Sequence, residues 1–304
     1  MPDSSTQVSF SSRRFRQFAL VAGGLVICFA LPLWRLARFA AGSDLFSYIL
    51  LIPFLCVYLA WLRKNHLPTV SRPAGGAAAL AIAGGIGMAV WSAFAGGPMV
   101  DQLGLITLSF VLFVTGAGCL ILGGAVMRTL AFPFAMLFFM VPFPLRFQLG
   151  LDTFLQHGSV FCADWMFSVS DVPALRNGLV FQLPNISLRV APECSGIHST
   201  VVLFITSLVA GYLFLRQPWK RAVLCLAVIP LALLRNGFRV FVLGELCTHL
   251  GSQMIDSPIH HQGGPIFFAL SLIPFFLLLY FLRKSETRSR GGSAAASRPA
   301  ASQP

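Results

Sequence analysis

Apolar runs of about 20 residues alternate along this chain with short breaks rich in arginine, proline and glycine. A run of that length, wound as a helix, crosses the ~30 Å of hydrocarbon in a bilayer. Eight such runs are readable, at roughly 17–35, 45–62, 77–95, 102–122, 128–143, 195–215, 222–243 and 265–282. The pattern predicts an all-α polytopic membrane protein of about eight transmembrane helices. The longest stretch outside the runs, 144–193, precedes the sixth. Leu149 to Phe167 mixes aromatic residues with Asp152, His157 and Asp164, which predicts an amphipathic helix lying on the membrane. Beyond it, Asn177-Gly178 separates two short alternating runs and predicts a small β-hairpin or loop that leads to residue 194. Residues 1–16 form a cytoplasmic N-terminus, 17–284 a single membrane-embedded domain, and 285–304, rich in Ala, Ser and Pro, a disordered tail.

Composition sharpens this picture. With 56% hydrophobic and 11% charged residues, and a mean hydropathy of +0.78, the chain is no soluble globule. The net charge of +12 sits in short clusters between apolar runs, the mark of positively charged inner loops rather than of nucleic-acid binding. With both termini inside, fifteen of the 22 basic residues are cytoplasmic, five are outside, and Arg235 and Arg239 lie within the seventh run. Of the acidic residues only Asp3 and Glu286 are cytoplasmic. The first run lacks a small-residue cleavage site and reads as a retained span.

Charge asymmetry then decides which chemistry can meet. Cys28, Cys56, Cys119 and Cys225 fall inside apolar runs and read as small buried hydrophobes. No CxxC pair or Cys/His cluster occurs, so neither a metal nor a cofactor is expected. Cys194 is different. It stands in Pro192-Glu193-Cys194-Ser195-Gly196, at the outer mouth of the sixth run. A helix N-terminus and a nearby cation lower a thiol pKa and make a nucleophile; Gly196 admits a substrate backbone and Ser195 offers a hydroxyl. The seventh run brings Asn236 and Arg239, three residues apart, to the same outer face, and the following loop brings His260 and His261. An arginine inside a span costs ~2.5–3.5 kcal/mol to insert, so it marks a function or a buried partner unless it snorkels to the headgroups. Arg235, a turn deeper, is its rival. His198, four residues after Cys194, competes with the doublet as a base or as a supporting residue. A disulfide from Cys194 to Cys162 or Cys247 is the inert alternative.

The ordered set Cys194-Ser195-Gly196, Asn236-x-x-Arg239 with Val240, and His260 with Gly264 and Phe268 at fixed distances resembles the exosortase/archaeosortase family of multipass membrane cysteine transpeptidases. Ser47-Tyr48, Pro53 and Tyr58 are similar to that family's early span, although Ile49 stands where a glycine is frequent. The resemblance implies a bacterial inner-membrane enzyme with its site facing outward. Its partners would be membrane lipid, exported proteins that end in a short motif, an apolar helix and a basic tail, and an unidentified acceptor nucleophile. Cys194 would attack the scissile carbonyl, Arg239 would stabilise the oxyanion or thiolate, and His260 would act as general acid/base. A non-enzymatic component of exopolysaccharide export or assembly is the alternative, for which the cysteine would be dispensable.

Overall fold

The computed structural model describes residues 4–68, 71–94, 96–170, 173–184, 186–190, 196–251 and 264–296. The helices are α1 (Ser4–Cys28), α2 (Ala30–Ala41), α3 (Ile52–Leu62), α4 (Gly75–Phe94), α5 (Met99–Ile121), α6 (Gly124–Thr129), α7 (Ala131–Met136) and α8 (Leu145–Val169). After strands β1 (Leu175–Asn177), β2 (Val180–Leu183) and β3 (Ile186–Arg189) come α9 (Ile197–Phe214), α10 (Pro218–Leu226), α11 (Val228–Leu250) and α12 (Gly264–Ala296). The all-α polytopic class expected from the sequence is what the chain adopts, with one small sheet added. Among the described residues five helical stretches are long and apolar enough to cross a membrane, or seven if two bent pairs are each one span. The expected count of eight is not confirmed, with Ile52–Leu62 a further apolar helix too short to be counted.

Proline explains the difference. It has no N–H to offer the carbonyl four residues back, and its ring crowds that carbonyl. The first expected span breaks after Cys28, four before Pro32, and α1 and α2 diverge by 74°. α6 stops at Thr129, four before Pro133, and α10 at Leu226, four before Pro230. Pro53 starts α3 late, leaving 11 residues, about 16 Å of helix and too short to cross alone. The last helix departs in the other direction. α12 continues to Ala296, into the stretch read from the sequence as a disordered tail.

Contacts divide the chain into two compact units, Met1–Gln148 and Leu149–Pro304. In the first, α4 lies close along α5. A Cβ added to Gly116 would come within 2.8 Å of the Ile82 side chain, and the Ser109 hydroxyl donates to the Gly85 carbonyl at 2.7 Å. Small residues permit this approach, and packing replaces the hydrophobic effect that lipid removes. A cavity of about 580 Å³ is lined by apolar side chains including Phe18, Ile49, Cys56, Val57, Phe110 and Met140. Asp101 accepts a hydrogen bond from the Leu145 N–H at 2.8 Å.

The second unit is built around α11. The stretch Gly158–Phe167 of α8 runs beside it in the same direction. Cβ atoms added at Gly158, Gly237 and Gly244 would meet Leu233, Cys162 and Phe167 at 2.5–2.6 Å. α8 is thus packed lengthwise on a candidate span, and the surface helix expected from the sequence gives way to a helix with Phe154, Phe161 and Trp165 exposed on another side. The hairpin expectation holds: β1 and β2 pair antiparallel with Asn177 opposite Val180, around Gly178 at φ +61°. Pro184 ends β2, and β3 adds a third antiparallel strand with Leu183 opposite Ile186. The inner face of the sheet, Phe181, Leu183 and Leu188, packs with Val160 and Phe167 of α8 and Val240, Leu243 and Cys247 of α11. Arg176 and Asp164 tie sheet to helix at 3.3 Å. A second core joins Leu203 and Ala210 of α9, Leu224 and Val228, and Phe275 and Leu279 of α12.

Candidate functional site

The start of α9 is fixed against the middle of α11. Gly196, the residue before the helix, has φ +67° and ψ 24°, left-handed backbone that costs any residue with a Cβ about 1–2 kcal/mol. Space forbids a side chain as well, because an added Cβ would overlap the Asn236 amide, 2.5 Å from Nδ2 and 2.8 Å from Cγ. The Gly196 carbonyl gathers donors. The Thr200 N–H donates to it at 3.0 Å, the Thr200 hydroxyl at 2.8 Å, the Ser199 hydroxyl at 3.0 Å and Arg235 Nη2 at 3.3 Å. So many donors on one carbonyl hold the turn in a single orientation.

Arg235 and Asn236 form the other half. Asn236 is buried and so is Arg235. The Asn236 Oδ1 accepts from Arg235 Nε at 3.3 Å and Nη2 at 3.1 Å, and Nη2 also reaches the Thr200 hydroxyl oxygen at 3.4 Å. Arg235 Nη1 is buried with no hydrogen-bond partner among the described residues. A buried ion without full pairing is costly in a medium of low dielectric. Arg239, one turn further along α11, is half-buried, as is His198 in the first turn of α9. Phe238 meets Phe267 of α12 edge to face, 6.0 Å between ring centres. The first turns of α12 therefore stand beside the Arg235–Arg239 segment.

Of the residues singled out in the sequence, the structure brings Gly196 and Asn236 into contact and sets Arg239 one turn beyond them. Cys194, Ser195, His260 and His261 lie outside the described residues. In sequence, Cys194 is two residues before Gly196, and His260 four before Gly264. Cys162 and Cys247 are both free thiols, and Cys247 is completely buried in the sheet core. Sequence reasoning left two polar residues without the place the structure gives them. Thr200 carries no signal of its own in the sequence beyond a spacing of four from Gly196, which suits a hydroxyl folding back on a helix start. Arg235 stood only as a rival to Arg239, because its partners come from another helix. Among the described residues no three metal-ligating side chains cluster.

No curated protein and no solved structure matches the chain. A family model does, over residues 34–277, which include both halves of the site and most of the sequence. On that match the chain belongs to the transmembrane exosortase family, and membership supports a membrane transpeptidase role.

Proposed function

We propose that this protein is a membrane-embedded cysteine transpeptidase that cleaves the C-terminal sorting signals of exported proteins through a thioester acyl-enzyme. One observation carries the reading: the Gly196 turn, two residues after Cys194, is fixed against Asn236 and Arg235, one turn from Arg239. The thiol proton of Cys194 passes to the His260 imidazole, and the sulfur attacks the scissile carbonyl carbon. Negative charge gathers on the carbonyl oxygen, where the Arg239 guanidinium offers a planar pair of N–H donors. The carbon–nitrogen bond then breaks, and the leaving nitrogen takes the proton back from His260. The acceptor's nucleophile gives its own proton to His260 as it displaces the sulfur. His261, His198 and Ser195 support this set, with spacing to Gly264 and Phe268 favouring His260 over its neighbour. The inner clusters of basic residues favour cytoplasmic termini and an outward-facing site in a bacterial inner membrane.

The test is the fate of a tail-bearing exported protein in cells carrying single variants. Cys194→Ser is expected to insert normally and leave the substrate uncleaved, since a hydroxyl does not ionise where a thiol does. Arg239→Lys is expected to slow processing ~100- to 1000-fold, the typical loss for one oxyanion donor. Normal processing by Cys194→Ser would return the protein to a non-enzymatic role in polysaccharide export.

A further inference from the structure

The cavity of the first unit has no part in the chemistry described above, and its length, mouth and rim define an occupant. Its walls run from Phe15 to Val26 on α1 and from Phe110 to Leu122 along α5, about 16–18 Å at 1.5 Å per residue. That is one leaflet, since half of the ~30 Å hydrocarbon core is ~15 Å. α2, turned 74° from α1, crosses the far end with Leu33 and Leu36. All the lining side chains are apolar, the Cys56 thiol included, so water finds nothing there to bind. The volume of about 580 Å³ is several times the ~150 Å³ at which an apolar cavity already takes up a small hydrocarbon. The slot opens sideways. Val57 of α3 and Val26 of α1 line it and yet are 71% and 48% exposed, so the gap between these helices faces lipid. Its other end meets the headgroup layer. Tyr58 and Trp61, on either side of the lining residue Ala60, stack with ring centres 6.3 Å apart, and the Lys64 ammonium stands 4.5 Å over Trp61. Aromatic rings and a cation so arranged mark a membrane–water boundary. The segments framing this end add Arg14 and Arg16 around Phe15, Arg63 beyond Ala60, and Arg128 two before Leu130, and hold no carboxylate.

We propose that this slot binds one acyl chain of an anionic phospholipid from the inner leaflet, with the headgroup phosphate held at the basic rim. The chain fills the space that α2 and α3, each too short to cross the bilayer, leave between α1 and α5. Basic clusters at the inner surface favour anionic lipid, and a flexible chain adapts to an irregular apolar slot. The apolar tail of a substrate is the rival occupant. A crossing helix needs ~30 Å of path, and α2 stops the slot at about half of that. The inference concerns the first unit alone and stands or falls independently of the cysteine reading.

The experiment counts the lipid retained by the full-length protein in mild detergent, by native mass spectrometry, after equal supply of dioleoylphosphatidylglycerol and dioleoylphosphatidylcholine. One phospholipid per chain is expected to survive, with the anionic one favoured about tenfold or more, as two or more cations at a headgroup imply. Val57→Trp closes the mouth from an exposed position and should abolish retention. Cys56→Phe fills the slot from within and should do the same. Phe54→Trp is the control: it is 74% exposed on the same helix and does not line the slot, so retention should not change. Arg63→Gln combined with Lys64→Gln should keep the lipid and lose the preference between headgroups. Equal retention by Val57→Trp and Phe54→Trp means lipid held around the outside of the protein, and overturns the inference even where Cys56→Phe does not fold. Equal retention of the two lipids by the unsubstituted protein overturns the assignment of the rim to a phosphate of an anionic lipid. Displacement of the lipid by a synthetic apolar helix with a basic end, blocked by Val57→Trp, would give the slot to a substrate tail instead.

Discussion

The two ends of the second unit hold similar charges and treat them differently. At the end where α9 passes into α10, Arg221, Lys220 and Glu286 each find hydrogen-bond partners. Arg221 sets Nε and Nη2 on the Leu215 carbonyl at 2.9 and 2.7 Å, closing the last turn of α9. Lys220, almost fully buried, donates to the Leu282 carbonyl at 3.3 Å and the Ser285 hydroxyl at 2.7 Å. The Glu286 carboxylate accepts from the N–H groups of Arg216 and Gln217 at 2.9–3.2 Å, at the positive end of α10. At the opposite end Arg235 keeps a buried Nη1 with no hydrogen-bond partner among the described residues. Satisfied charge reads as a clasp, and unsatisfied buried charge as a place kept for a ligand or a reaction.

Substitutions can break this contrast. The largest effect is expected from Gly196→Ala. It adds a Cβ to left-handed backbone and drives it into Asn236, so processing should fall more than ~100-fold while the protein still inserts and keeps the Lys220–Ser285 contact. Protein that processes at the normal rate would show that the turn does not hold the nucleophile. Lys220→Met comes next. It removes two hydrogen bonds together with a buried charge, and should cost about 1–2 kcal/mol in thermal unfolding with no change in processing per folded molecule. A processing defect without loss of stability would erase the division between the ends. Glu286→Gln is the smallest. The side chain is half-buried at the surface, so losing its charge at the α10 N-terminus should cost less than about 1 kcal/mol, and less still at high salt. A loss independent of salt would mean that the carboxylate acts by geometry alone.

How far the sequence could be read follows from the range of the forces involved. Hydropathy is local, and it finds apolar stretches well: α4, α5, α9 and α12 begin within three residues of where the runs place them. Breaks at Cys28, Thr129 and Leu226 were equally local, each written four residues ahead by Pro32, Pro133 and Pro230, yet an apolar window averages over a single proline. The third strand was hidden in the same way, since Pro184 divides a run that alternates on both sides. The meeting of Gly196 with Asn236 was foreshadowed by two short motifs brought to one membrane face by charge asymmetry. The burden on Arg235 was not, because it depends on which side of α11 faces α9. A crossing of two helices sets that, not any spacing along one of them.

The fracture at Phe29 has a consequence for how the protein is made. α2 and α3, at 12 and 11 residues, offer the insertion machinery too little greasy length to settle across a bilayer on their own. Phe29 itself lies against Phe110 and Phe113 of α5, ring centres 5.6 and 5.9 Å apart. α5 is 23 residues long and is synthesised only after both short pieces have left the ribosome. The corner at Phe29 therefore takes its lasting apolar partner from a helix made later in the chain. Order of synthesis and order of packing are not the same in the first unit.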